Sequence, residues 1–105
     1  ALVGDDPAVL GGLLTDFQDS ANNIATELHK AALANDLQAT GGLAHKLKSA
    51  AQSVGAVALG KLCADMEKAG KTSDAATLNV LMPRFGLEMI QVNTDLLAFQ
   101  KEARS

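Results

Sequence analysis

The sequence predicts an all-α protein, an antiparallel up-down four-helix bundle with a short extra N-terminal helix. Three observations carry that expectation. Apolar residues recur at i, i+3, i+4 and i+7 over most of the chain, the period of a helix with one buried side. The composition is 48% hydrophobic, with two Pro and no Trp or Tyr, whereas a sheet would draw on β-branched and aromatic residues. The breaks between periodic stretches are short, which makes successive helices antiparallel neighbours. A chain of 105 residues is one domain, 1–105, able to bury roughly 65% of the surface its unfolded form exposes.

Taken in order, Asp6-Pro7 is a helix start, a capping residue followed by Pro at the first helical position. Gly11-Gly12 then predicts that this first helix is short or broken. A second helix begins at Leu13 and places Phe17, Ala21, Ile24, Leu28 and Ala31 on one side, ending near Asn35-Asp36. Asp36 can cap a third helix, and Gly55 suits its C-terminus. The fourth carries Leu59, Leu62, Cys63, Met66 and Ala69 at helical spacing, with Lys61–Asp65 and Glu67–Lys71 as exposed i, i+4 pairs. Gly70 and Thr72-Ser73-Asp74 mark a loop and a new N-cap. The last helix aligns Leu78, Leu81, Met82, Phe85, Met89, Val92, Leu96 and Phe99. An interior proline costs a straight helix about 3 kcal/mol, so Pro83 predicts a kink or a division into two segments. The polar stretch from Gln100 to Ser105 should fray.

Charge and cysteine content narrow the partners. A net charge of −3 and a pI near 5.2 argue against nucleic acid, which needs a clustered basic surface. The single cysteine, Cys63, cannot form an internal disulfide and fits a reducing compartment, and its place on an apolar face makes it a core residue. No run of 18 apolar residues and no signal-peptide pattern is present, so neither direct membrane contact nor export is expected. The absence of an initiating Met suggests a segment excised from a longer protein.

The most informative stretch runs from Gly41 to Ala56. On a helical wheel centred on Leu47, Thr40, Leu43, Ala51 and Val54 fall within about 40° and Ala44 and Ala50 within about 60°, a core-facing stripe. His45 falls at about 160°, near Gln52, Gly41, Lys48 and Ser49, and therefore points to solvent with small or polar neighbours. His29, the other histidine, is also exposed but has no comparable small, flat surround. No His-x-x-x-His pair or Cys/carboxylate cluster suggests a metal site. Neither a Ser-His-Asp set nor a Gly-rich phosphate loop accompanies His45, which argues against a self-contained enzyme.

Ala44-His45-Lys46-Leu47-Lys48-Ser49, followed by Val54-Gly55-Ala56, Leu59, Leu62-Cys63 and Met66-Glu67, resembles the histidine-containing phosphotransfer (HPt) domains of bacterial phosphorelays. Upstream, Gly4-Asp5-Asp6-Pro7, Leu13-Leu14, Phe17, Ala31-Ala32 and Asp36 extend the resemblance over roughly the whole chain. Two departures flank the site. Ser49 stands where the family usually has glycine, and Lys46 where it usually has a small residue; the first should alter docking slightly and the second bias partner choice.

The resemblance implies a phosphoryl carrier without kinase activity of its own. His45 would accept a phosphoryl group on Nε2 from a receiver-domain aspartate and pass it to another receiver. An imidazole in water is mostly neutral at pH 7, so one nitrogen lone pair is available to attack phosphorus. Lys48 would offset the phosphoryl charge and Gln52 orient the ring or contact the phosphate. Gly41, Gly42, Lys46 and Ser49 would receive the docking partner, with Gly41 leaving the helix surface bare beside His45. The domain would need no cofactor, because the receiver supplies Mg²⁺ and an acidic pocket. The family context implies a monomeric cytoplasmic module of a hybrid sensor histidine kinase. The alternatives are a bundle whose exposed histidine does nothing, and a docking module that binds a kinase or another enzyme without carrying phosphate.

Overall fold

The computed structural model describes residues 7–104. They form α1 (Pro7–Leu33), α2 (Leu37–Ser53), α3 (Val57–Lys71) and α4 (Ala75–Arg104), with no strand among the described residues. Each helix packs on its neighbour in sequence and α4 closes back on α1, giving the expected up-down bundle, 45 Å long and 23 × 18 Å across.

The short extra N-terminal helix is not found among the described residues, and Asp6, its expected cap, lies outside them. Gly11 and Gly12 sit inside an unbroken α1, with nothing within 4 Å of where their Cβ atoms would be. Two glycines cost a helix about 1 kcal/mol each. Here the Thr15 hydroxyl donates to the Gly11 carbonyl at 2.9 Å, and Leu14 and Phe17 pack into the core one turn further on, so tertiary burial carries the helix through. At the other end α4 likewise continues to Arg104 rather than fraying from Gln100. Gln100 Nε2 donates to Thr15 Oγ1 at 3.4 Å, tying the end of α4 to the first turns of α1.

One kind of turn joins all the helices. The residues after α1, α2 and α3 that reverse the chain, Asn35, Gly55 and Ser73, have φ of 56°, 77° and 54°. In each turn the following amide donates back across the last turn of the helix: Asp36 N to Ala31 O at 2.9 Å, Ala56 N to Ala51 O at 2.9 Å, and Asp74 N to Ala69 O at 2.8 Å. These are Schellman closures, which satisfy carbonyls that a helix end would leave unpaired. Asp36 and Asp74 then cap the next helix, accepting from Ala39 N and Thr77 N at 3.1 Å. Connections this short force the antiparallel arrangement.

The core follows the predicted stripes: Phe17, Ala21 and Leu28 of α1, Ala44, Leu47 and Ala51 of α2, Leu59, Cys63 and Met66 of α3, and Leu78, Phe85, Met89 and Leu96 of α4 are buried. Burial pushes the Cys63 thiol up to about 12, with Lys48 opposing weakly, so it remains an inert core group. Pro83 lies within one continuous α4; both Pro83 and Asn79, whose carbonyl loses its helical donor, are exposed, and water can take up the lost bond. The face of α4 opposite its core also carries apolar side chains, with Val80, Leu87, Ile90 and Leu97 exposed. Between α1 and α4 the amides of Asn22 and Asn93 exchange hydrogen bonds of 3.2 and 3.0 Å, and Gln18 donates to Asn93 Oδ1 at 3.1 Å.

Candidate functional site

Asp36 starts α2 at a point that turns Thr40, Ala44, Leu47 and Ala51 into the core, and that rotation leaves His45 outward with 58% of its side chain exposed. The ring is nonetheless held. Its Nδ1 lies 2.8 Å from Glu67 Oε2 on α3. Glu67 Oε1 accepts from Lys48 Nζ at 2.6 Å, and Lys71 Nζ lies 3.1 Å from Oε2. One carboxylate thus gathers a histidine and two lysines from α2 and α3.

Glu67 is itself 7% exposed, which corrects its expected place as half of an exposed pair with Lys71; the pair forms, but on a buried carboxylate. Hydrogen bonds from Lys48 first and then Lys71 hold its carboxyl down from 4.5 to about 2 against the opposing effect of burial, with His45 adding a smaller lowering contribution. It is therefore ionised near neutrality and can only accept hydrogen bonds. A neutral His45 must then keep its hydrogen on Nδ1, and the lone pair sits on Nε2. Glu67 was legible in principle: it falls only about 40° from Cys63 on the wheel of α3, inside the buried stripe. An acid in that position needs a partner across the helix interface.

Beside the ring is an open groove of about 580 Å³. Its floor is glycine from two helices, Gly41 and Gly42 of α2 and Gly70 of α3, and its walls include Gln38, Lys71 and Ser73. Gly41 does not leave a bare surface as expected. It is buried, and a Cβ on it would meet Gly70 Cα at 3.2 Å, while a Cβ on Gly70 would come within 2.6 Å of Gly41 Cα and 2.8 Å of the Leu37 carbonyl oxygen. The absent side chains let α2 and α3 approach backbone to backbone. Gly70 accordingly lies within α3 rather than in the loop expected there. Gly42, by contrast, is exposed with nothing within 4 Å.

The other expected residues divide. Lys46 and Ser49, which both follow His45 on α2, are exposed, and the Ser49 hydroxyl donates to the His45 carbonyl at 3.3 Å. Gln52 is exposed but lies two turns on, its stem near Gly60, and it does not line the groove beside His45. His29 is exposed and tilts against Phe85 at 5.6 Å between ring centroids, a packing contact, and it does not line the groove beside His45. Among the described residues no group of His, Cys, Asp and Glu could hold a metal ion, and no helix is long and apolar enough to cross a membrane.

The described residues thus form a helical bundle on which the exposed His45 imidazole is held from behind by an ionised carboxylate and borders an open groove. The particular family is given by comparison: the model of the Hpt domain matches residues 12–100, and the chain belongs to that family. Hpt domains are phosphocarriers of two-component signalling and interact with receiver domains in phosphorelays. No curated protein and no solved structure matches the chain.

Proposed function

We propose that this domain is a relay intermediate that accepts a phosphoryl group from a receiver aspartyl phosphate on His45 Nε2 and returns it to the aspartate of another receiver. The observation that carries this reading is the 2.8 Å contact between His45 Nδ1 and Glu67. It fixes the tautomer, so Nε2 presents its lone pair outward. In the transfer the Nε2–P bond forms as the P–O bond to the receiver aspartate breaks, and the electron pair leaves on that carboxylate. The ring acquires positive charge, and Glu67 stabilises it through the Nδ1 hydrogen, which stays in place throughout.

The rest of the chemistry belongs to the partner. A receiver-held Mg²⁺ would neutralise phosphoryl oxygens, and phosphoryl transfer depends chiefly on such neutralisation and on in-line positioning. Gly42, Lys46 and Ser49 are exposed within a turn of His45 on α2, so the receiver docks over them; Lys46 adds a cation facing an acidic pocket. We further propose that the domain acts as a monomer within a cytoplasmic hybrid sensor kinase.

Incubation with a receiver carrying labelled aspartyl phosphate should give acid-labile label on the domain, and His45→Gln should abolish it with Tm nearly unchanged, because an exposed side chain carries little packing energy. Binding of the phosphorylated receiver without any label on the domain would instead identify a docking module.

A further inference from the structure

Both lysines at the site contact Glu67, but they stand on different sides of it. The groove beside His45 includes Lys71 in its wall and not Lys48. Lys48 opens onto a separate depression beyond Glu67, formed with Ala64, Lys68 and Thr72, and Lys71 borders both. We infer that Lys71 is the cation that holds the phosphoryl group on His45, while Lys48 serves to hold Glu67; this rests on the phosphocarrier reading above.

The two ion pairs differ as that division requires. Lys48 has 24% of its side chain exposed and meets Glu67 at 2.6 Å, whereas Lys71 has 72% exposed and meets it at 3.1 Å. An exposed i, i+4 pair is worth little and is readily exchanged for another partner. Releasing Lys71 leaves Glu67 still bonded to Lys48 and His45, so no buried charge is abandoned. Releasing Lys48 would leave the inner carboxylate oxygen unpaired. Helix side chains lean toward the N-terminus of their own helix, which inclines the His45 ring over Gly41 and Gly42, toward the groove that Lys71 walls. A phosphoryl group carries close to two negative charges near neutrality and therefore outcompetes the single charge of Glu67 for a flexible ammonium. Gln38 and Ser73, on the same walls, offer neutral donors to the remaining oxygens.

The test uses the whole domain in a His29→Gln background, phosphorylated with phosphoramidate; the Nε2–P bond forms as the donor P–N bond breaks and ammonia leaves. The second ionisation of the phosphoryl group is then followed by ³¹P NMR against pH. A cation at the oxygens favours the dianion, so Lys71→Gln should raise that pKa by roughly half a unit or more, Lys71→Arg should restore it, and Lys48→Gln should move it less. An unchanged pKa in Lys71→Gln, or a larger shift in Lys48→Gln, overturns the assignment. Failure of His45 to take up phosphate from either phosphoramidate or a phosphorylated receiver would overturn the phosphocarrier reading instead, and the parent domain reports it before any lysine is changed.

Discussion

Glu67 carries one negative charge and meets three side chains, His45, Lys48 and Lys71. Toward His45 its role is to accept, and an amide in its place could accept with its oxygen only by turning an NH₂ group toward Lys48. Two donors would then face each other at the position of the present 2.6 Å bond. Glu67→Gln should therefore slow phosphoryl transfer from a receiver by roughly tenfold or more, since a misheld imidazole loses both tautomer and direction. Single-turnover transfer kinetics check this, with circular dichroism to establish that the bundle survives. A wild-type rate would remove the carboxylate from the mechanism and leave it a structural ion pair.

α2 and α3 meet backbone to backbone at Gly41 and Gly70. The 2.6 Å clash that a Cβ on Gly70 would make is with backbone, and no rotamer change relieves it. Gly70→Ala must push the helices apart, at a cost of about 1–3 kcal/mol, or a fall in Tm of roughly 5–15 °C for a domain of this size. Gly42→Ala is the contrasting case, because that position is helical and opens to empty space; it should stabilise by up to about 1 kcal/mol. Gly41→Ala lies between, and its 3.2 Å approach to Gly70 Cα should reverse the gain expected of a helical glycine. Thermal melts of the three variants decide whether helix propensity or interhelical spacing governs each position.

For the molecule as a whole, the depressed acids set the response to pH. The Glu67 carboxyl falls from 4.5 to about 2 on folding, and that of Asp74 is also lowered, by hydrogen bonds from the side chain and then the backbone of Thr77. Where the folded pKa is the lower one, the unfolded chain takes up protons first, so the stabilisation is complete above the unfolded value and drains away as pH falls through the folded one. Thermal stability should accordingly drop between about pH 4.5 and 2. Glu67→Gln, lower in stability at pH 7, should show a shallower decline; a slope equal to wild type would place the acid sensitivity elsewhere.

Whatever depends on one helix was readable from the chain. The period of α2 placed His45 outward and Leu47 inward, Asp36 and Asp74 announced their caps, and Gly55 its turn, because these follow from side chains and backbone a few residues apart. The family likeness around His45 is local in the same sense. Only the tertiary structure decided the rest. Glu67 and His45 are 22 residues apart and meet because α2 and α3 pack at one particular height and rotation, and that height is set by Gly41 lying against Gly70. The continuity of α1 through Gly11-Gly12 and of α4 through Pro83 was decided the same way: local propensity disfavours both by a few kcal/mol, and burial of a long apolar face against neighbouring helices outweighs it.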